Sequence, residues 1–282
     1  MISVILRSKN DVALIRQTVE GLLGQRDCDE FEIISCDDSS TDGTAEIIAE
    51  YPEVRRIDPE SVPYNPARVL NRAVQHTKGE LIIFNNSDSI PQNDQYFRYL
   101  IEPLADPQCG AVYGCQLPRP DAWAFIKREH QRVFNPQSST SAVPDFFSLV
   151  ASATRREILL EEPFDLAMQY SEDIEWSRRI QKKMNLQVVY APKAVVEHSH
   201  NYTFREVWKR FFNEGRAEVQ ISQKPPAITA LIRQPVMEIL RDLGFELKNL
   251  ELNDIPRGIL YRIIQKYATF RGGYAEAGRW RL

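Results

Sequence analysis

The sequence predicts an α/β protein with a mostly parallel central sheet flanked by helices, followed by a helical, basic C-terminal extension. Over the first 120 residues, short β-rich runs alternate with amphipathic helical stretches, the pattern of a parallel sheet covered by helices. From about Tyr202 onward every segment has helical spacing, and the charge changes sign there. Residues 1–204 carry a net charge of −9 and residues 205–282 a net +5, within a total of −4. A chain of 282 residues with 43% hydrophobic content can bury a substantial core.

The elements follow in order. ISVILR reads as a first strand. DVALIRQTVEGLLGQ reads as a helix, with Asp11 as N-cap and an apolar stripe at positions 12, 15, 19, 22 and 23. FEIISCD is the second strand, DGTAEIIAEY the next helix with Asp42 capping it, and VRRID a short strand. Residues 66–77 form a helix with Pro66 in its first turn, and ELIIF is a central strand. Residues 94–105 read as helix, CGAVYGCQ as strand and WAFIKREHQRVF as a surface helix. FNPQSSTSAVPD, residues 134–145, reads as a mobile loop able to lie over a site. FFSLVAS is a strand, SEDIEWSRRIQKKM a helix, and LQVVYAP and AVVEH two short strands. In the tail, PRGILYRIIQKYATFRGG places Ile259, Leu260, Ile263, Ile264, Tyr267 and Phe270 on one face, with Arg262 and Lys266 towards another.

Composition excludes several classes. No run of 18 apolar residues exists, and the N-terminus lacks the layout of a signal peptide, so a cytoplasmic protein is expected. Cys28, Cys36, Cys109 and Cys115 show neither C-x-x-C spacing nor clustering with histidine, which predicts reduced thiols and no zinc site. The positive charges of the tail are spread among apolar residues and not massed in a block, which argues against a nucleic-acid partner. A basic amphipathic tail can instead pack on a domain or lie at a membrane interface, making peripheral contact at the inner face of the membrane.

Three strand ends carry carboxylates. DDSSTDGT, residues 37–44, places Asp37 and Asp38 side by side; a turn needs one such residue, and a second can accept hydrogen bonds from a nucleobase or ribose. Neither G-x-G-x-x-G nor a P-loop is present, so a bound diphosphate needs another source of positive charge, such as a divalent cation on oxygen ligands. FNNSDSIP, residues 84–91, ends a strand either as a plain turn or as such a site, with Asp88 as the ligand. His198 and His200 in EHSHNY follow a strand and fit metal ligation or a structural role equally. SEDIEW, residues 171–176, fits a helix cap with first-turn acids, or a general base.

Taken together, ISVILRSKND, FEIISCDDSSTDGT, KGELIIFNNSDSIP, SEDIEWSRRI and VVEHSHNY resemble, in order and spacing, the motifs of family-2-type inverting glycosyltransferases of GT-A fold. The variants R-S-K-N, S-x-D-x-x-P and H-S-H-N-Y are most similar to bacterial rhamnosyltransferase-like members. The resemblance covers residues 1–204. It implies a GT-A catalytic domain there, with a donor half of about 1–120 and an acceptor half of about 121–204, and residues 205–282 as the helical extension. It further implies donor contacts from Arg7, Asp37, Asp38, Asn86 and Asp88, and a divalent metal, Mn2+ or Mg2+, on Asp88 and His198. Asp173 is implied as catalytic base beside Glu172. Trp176, one turn on, could floor the acceptor site or simply pack. Asn86 stands where the family's D-x-D motif has its first aspartate.

The implied reaction transfers a sugar from a nucleoside diphosphate, such as dTDP-rhamnose or a UDP-sugar, to a hydroxyl of a glycan or lipid-linked acceptor in surface polysaccharide synthesis. The alternatives are a glycosyltransferase-like subunit that binds a sugar nucleotide or polysaccharide without turnover, and a sugar nucleotidyltransferase. The second of these normally has a glycine-rich N-terminal loop, and RSKNDVAL has no glycine.

Overall fold

A computed structural model of the chain describes residues 1–58, 63–138 and 145–279. Residues 139–144 of the expected 134–145 loop lie outside the described residues. The backbone forms two units. The first comprises Met1–Leu117, Arg132–Ala167 and Glu172–His198, and the second Pro118–Gln131, Met168–Ser171 and Ser199–Leu282.

Among the described residues, the first unit is built on one sheet of eight strands: β1 (Ile2–Ser8), β2 (Phe31–Asp37), β3 (Val54–Ile57), β4 (Leu81–Asn86), β5 (Ile90–Pro91), β6 (Cys109–Leu117), β7 (Ala151–Arg155) and β8 (Gln187–Glu197). Their order is β3-β2-β1-β4-β7-β6-β8-β5. The β3-β2-β1-β4 half is parallel throughout, β6 and β8 are also parallel, and β7 runs antiparallel to both β4 and β6.

Side chains alternate across the strands with period two. Ile2, Val4 and Leu6 of β1 pack in one cluster with α1 (Ile15–Leu23), α2 (Thr44–Ala49) and, after α3 (Pro66–Gln75), α4 (Tyr96–Ile101). Ile5 faces the other cluster, with α3, α6 (Arg156–Glu161) and α7 (Glu172–Met184). Each fully buried Ile or Leu of this kind contributes about 1.5–3 kcal/mol. The helices therefore sandwich the sheet, and the connections leave its carboxyl-terminal edge for chemistry.

Several expected details are corrected. The first helix begins at Ile15, Val12 is 40% exposed, and the Asp11 carboxylate accepts from Ser87 Oγ and the Lys9 N–H, so it is not an N-cap. Asp42 is not the N-cap of α2 either, a place taken by Gly43, but it holds the preceding turn by accepting from the Thr44 N–H and hydroxyl, and Pro66 opens α3 behind Asn65, which accepts from Arg68 N–H at 2.8 Å. The strand expected at 146–152 starts at Ala151, because the chain before it turns its Leu149 N–H towards Asp173 and not towards a neighbouring strand. The two late strands are one, β8, with a bulge over Pro192–Ala194. Gly114 lies opposite that bulge, where a Cβ would meet the Ala194 carbonyl oxygen at 2.4 Å.

The second unit is helical. It contains most of α5 (Ala124–Val133), then α8 (Phe204–Ser222), α9 (Ala230–Asn249) and α10 (Ile255–Arg279). Thr203 and Glu206 form a full capping box for α8. Glycines let α8 and α10 touch backbone to backbone: a Cβ on Gly215 would lie 2.0 Å from the Thr269 carbonyl oxygen, and one on Gly272 1.9 Å from that of Phe212. α5 is not the surface helix expected, since Phe125 is fully buried with its ring 4.9 Å from that of Tyr261. Arg262 is 1% exposed, ion-paired with Asp242 at 2.7 Å and Glu129 at 3.0 Å, and so lies inside the bundle. Among the described residues no helix is long and apolar enough to cross a membrane.

Candidate functional site

Strand register assembles the site. Arg7 at the end of β1 is paired with Asn86 of β4 on one side and Cys36 of β2 on the other, and Ser8 is paired with Asp37. Three motifs far apart in sequence thus end in one row at the carboxyl edge of the parallel half.

The Asp37 carboxylate is committed within its own turn: it accepts from Ser8 Oγ at 2.7 Å, from Ser40 Oγ at 2.6 Å and from the Ser40 N–H at 2.7 Å. Asp38 is different. Its side chain is 27% exposed, 3.6 Å from Lys9 Nζ. Both acids line a cleft with Ile57, Tyr64, Arg68 and Arg72. Two arginines and two acids around an open, partly apolar slot suit a flat polar ring attached to an anionic group.

Arg7 reaches Glu172 Oε1 at 3.2 Å and Asn86 Oδ1 at 3.4 Å. Glu172 is buried while the Arg7 side chain keeps 25% of its surface exposed, so this pair is partly withdrawn from water. Asp173, the next residue of α7, accepts from its own neighbour's Ile174 N–H at 2.8 Å and, more weakly, from Leu149 N–H at 3.5 Å. Burial, reinforced by the adjacent Glu172 charge, pushes its carboxyl up to about 7. A carboxyl that gains and loses its proton near neutrality is suited to general acid–base work.

The FNNSDSIP turn is stapled from within. Asn85 donates to the carbonyls of Asn86 and Ser89, both at 2.8 Å, and accepts from the buried Tyr96 hydroxyl at 2.9 Å. The turn therefore holds Asp88 in a fixed position, 6% exposed, with Oδ2 3.5 Å from His198 Nε2. On the far side of the imidazole, His198 Nδ1 lies 2.9 Å from Gln116 Oε1. The Gln116 amide nitrogen is turned to Ser148 Oγ at 3.1 Å, so its oxygen faces the ring and Nδ1 is the donor. In the neutral ring this leaves Nε2 as the nitrogen without a proton, on the side of the Asp88 carboxylate. One carboxylate oxygen and one imidazole nitrogen on a rigid support fit a divalent cation such as Mn2+. His200 belongs to the second unit, where its ring stacks on Tyr202 at 4.8 Å.

Trp176 requires a correction. It is completely buried between Phe147 and Phe164, ring centroids 5.6 and 5.4 Å away, and its indole N–H donates to the Glu162 carbonyl at 2.7 Å. It has no face to offer an acceptor and is a core residue. Conversely, sequence reading assigned no role at the site to Asp11, Ser87, Gln116 and Ser148. Only their long-range partners reveal them, although the position of Gln116 at the end of β6, one strand from His198, was a usable signal.

The sheet and its carboxyl-edge site define an α/β protein with a metal-capable carboxylate–histidine pair. The description Glycosyl transferase family 2 matches residues 3–162, more than half of the chain, and the protein belongs to that family. The fold is GT-A: the chain is similar to the mannosyltransferase PcManGT from Pyrobaculum calidifontis, solved in complex with GDP-Man and Mn2+, with a TM-score of 0.68, 16% identity and coverage of 98% of this chain and 86% of that one. It is also similar to glucosyl-3-phosphoglycerate synthase from Mycobacterium tuberculosis, in complex with Mn2+, UDP and phosphoglyceric acid, with a TM-score of 0.59, 20% identity and 80% coverage of each chain. In sequence it is 30% identical over 198 residues to the O-antigen chain rhamnosyltransferase RfbN of Salmonella typhimurium, covering 65% of this chain and 62% of the relative. With WbaN of Salmonella anatum, also described as an O-antigen chain rhamnosyltransferase, identity is 27% over 65% of this chain and 61% of the relative. The chain thus spans about three-fifths of the length of these curated relatives.

Proposed function

We propose that the protein is an inverting glycosyltransferase that moves a sugar, rhamnose in the first instance, from a nucleoside diphosphate to a hydroxyl of a growing surface glycan, on a lipid-linked or free acceptor in the cytoplasm. The observation that supports this best is that one unit holds both the Asp88–His198 pair and, at the start of α7, a partly buried Asp173 whose neighbour Glu172 is tied through Arg7 to Asn86 of the Asp88 turn. The rhamnosyltransferase likeness of the relatives favours dTDP-rhamnose as donor, with UDP-sugars next. Residues 1–204 are taken as the catalytic domain, donor half first, and residues 205–282 as its extension.

The cleft bounded by Asp38, Tyr64 and Arg72 receives the base and ribose, with Asp38 accepting from their N–H or O–H groups while Asp37 holds the loop. Asp88 and His198 are the residues that would hold Mn2+ or Mg2+, which when bound would offset negative charge on the leaving diphosphate. Arg7, steadied by Glu172 and Asn86, adds a fixed positive charge at the same strand end. Asp173 in its ionised form accepts the proton of the acceptor hydroxyl as that oxygen bonds to the anomeric carbon. The bond from that carbon to the diphosphate oxygen breaks on the opposite side, so the configuration inverts.

A thermal-shift screen of nucleoside diphosphates and their sugars, each with and without Mn2+, tests the reading. The expected result is stabilisation by one nucleotide family, larger with metal. Stabilisation by none of them, or by a nucleoside triphosphate alone, would overturn it. Asn86 favours one rival, a subunit that binds donor without turnover, because it removes a carboxylate from the D-x-D position. Metal-dependent hydrolysis of the donor in the absence of acceptor excludes that rival.

A further inference from the structure

The second unit sorts its side chains in the reverse of the usual way. In α9 the carboxylates point inward: Asp242 and Glu246 are 2% and 1% exposed, and Glu238 and Asp242 are held by Arg128. The apolar residues point outward. Val236, Leu240 and Leu247 are 51%, 59% and 59% exposed, and Leu250 just past the helix is 83% exposed. With Leu243 these residues recur at i, i+4, i+7, i+11 and i+14, a single stripe about 21 Å long at 1.5 Å per residue.

The charge that flanks this stripe has one sign. Between Ala230 and Arg279 the six acids are Glu238, Asp242, Glu246, Glu251, Asp254 and Glu276, and none is exposed. Among the described side chains of the same span the exposed ionic residues are Arg233, Arg241, Lys248, Arg257 and Arg271, of which Arg241 and Arg257 also pair with the half-buried Glu238 and Asp254. α10 repeats the arrangement, with Leu260, Ile263, Tyr267 and Tyr274 exposed at i, i+3, i+7 and i+14.

We infer that α9 is a docking surface for an anionic lipid interface, lying with its leucine stripe among the acyl chains and Arg233, Arg241 and Lys248 among the headgroups. Charge decides between this occupant and a second copy of the chain. Two such faces brought together present cations to cations, with no exposed carboxylate on either helix to meet them. An anionic bilayer supplies both the apolar layer and the opposite charge. Tyrosines on the exposed face of α10 suit the same interfacial environment. The inference rests on the surface of the helix and not on the transfer reaction, so each can fail alone.

The test is cosedimentation of the full chain with vesicles of phosphatidylglycerol, and separately of phosphatidylcholine. Binding to phosphatidylglycerol that weakens in high salt is expected, with little binding to phosphatidylcholine. The variant L240S/L247S should lower the partition coefficient by at least about tenfold. R233Q/R241Q/K248Q should lower it by on the order of a hundredfold. Both should keep the wild-type circular dichroism spectrum and melt within a few degrees of wild type, because the altered side chains are exposed and the one ion pair lost, Arg241–Glu238, lies at the surface. Wild-type protein that stays in the supernatant overturns the inference, as does binding that neither variant weakens. A dimer in sedimentation velocity that L240S/L247S dissociates would also overturn it and assign the stripe to a second copy.

Discussion

In the proposed reaction Asp173 is the residue on which the chemistry turns, and its titration has consequences in both rate and stability. Its carboxyl sits near 7 in the fold against an ordinary 3.8, because burial and the Glu172 charge disfavour ionisation. A raised folded value favours the fold fully below the unfolded value, and that contribution is lost as pH rises through about 7. The variant Asp173→Asn, which cannot ionise, should therefore melt at a higher temperature than wild type at pH 8, with the gap closing towards pH 4. Calorimetric scans at the two pH values check this, and a gap independent of pH would contradict it. A base that works ionised should also give a transfer rate that falls as pH drops below about 7. His198 depends on Gln116 in a different manner, through the tautomer. Gln116→Leu leaves the Nδ1 proton without its acceptor and should weaken Mn2+ binding by about 10–100-fold, measured by titration calorimetry on the donor-free protein.

At the scale of elements, what the sequence makes legible is what depends on neighbours along the chain. Short β-rich apolar runs locate β1, β2 and β4, Pro66 locates the start of α3, and turn chemistry locates the carboxylates at strand ends. What it hides depends on distant partners. Asp11 has every local feature of an N-cap, yet Ser87 draws its carboxylate towards the Asp88 turn. Trp176 has the right spacing for an acceptor platform, yet Phe147 and Phe164 enclose it. Arg262 falls on the polar side of α10 by helical spacing, and only Asp242 and Glu129 explain how an arginine can be buried there. The α8–α10 contact was equally illegible, because a glycine in a helix reads as a weak position until the other backbone is seen. Gly272→Ala forces a methyl group against the Phe212 carbonyl. It should lower stability by about 1–3 kcal/mol, read as a drop in melting temperature, even though alanine is the better helix former.

Across the whole molecule, charge and burial are partitioned by purpose. The first unit holds Asp38 and Asp88 just past the ends of parallel strands and Asp173 at a helix start, in three different environments: a partly open cleft, a stapled turn beside an imidazole, and a partly buried first helical turn. The second unit turns its acids inward and its leucines and arginines outward. The first pattern was legible in the sequence as five motifs in order, of which the glycosyl transferase family 2 match, residues 3–162, covers the first three. The second pattern needed the structure, because helical spacing gives two faces without saying which one is covered. The central claim, that Asp173 is the base of an inverting transfer, is tested most directly by single-turnover transfer and donor binding measured side by side on Asp173→Asn with Mn2+ present. The account predicts a transfer rate lowered by about 10²–10⁴-fold with donor affinity close to wild type. Wild-type transfer in this variant would contradict it.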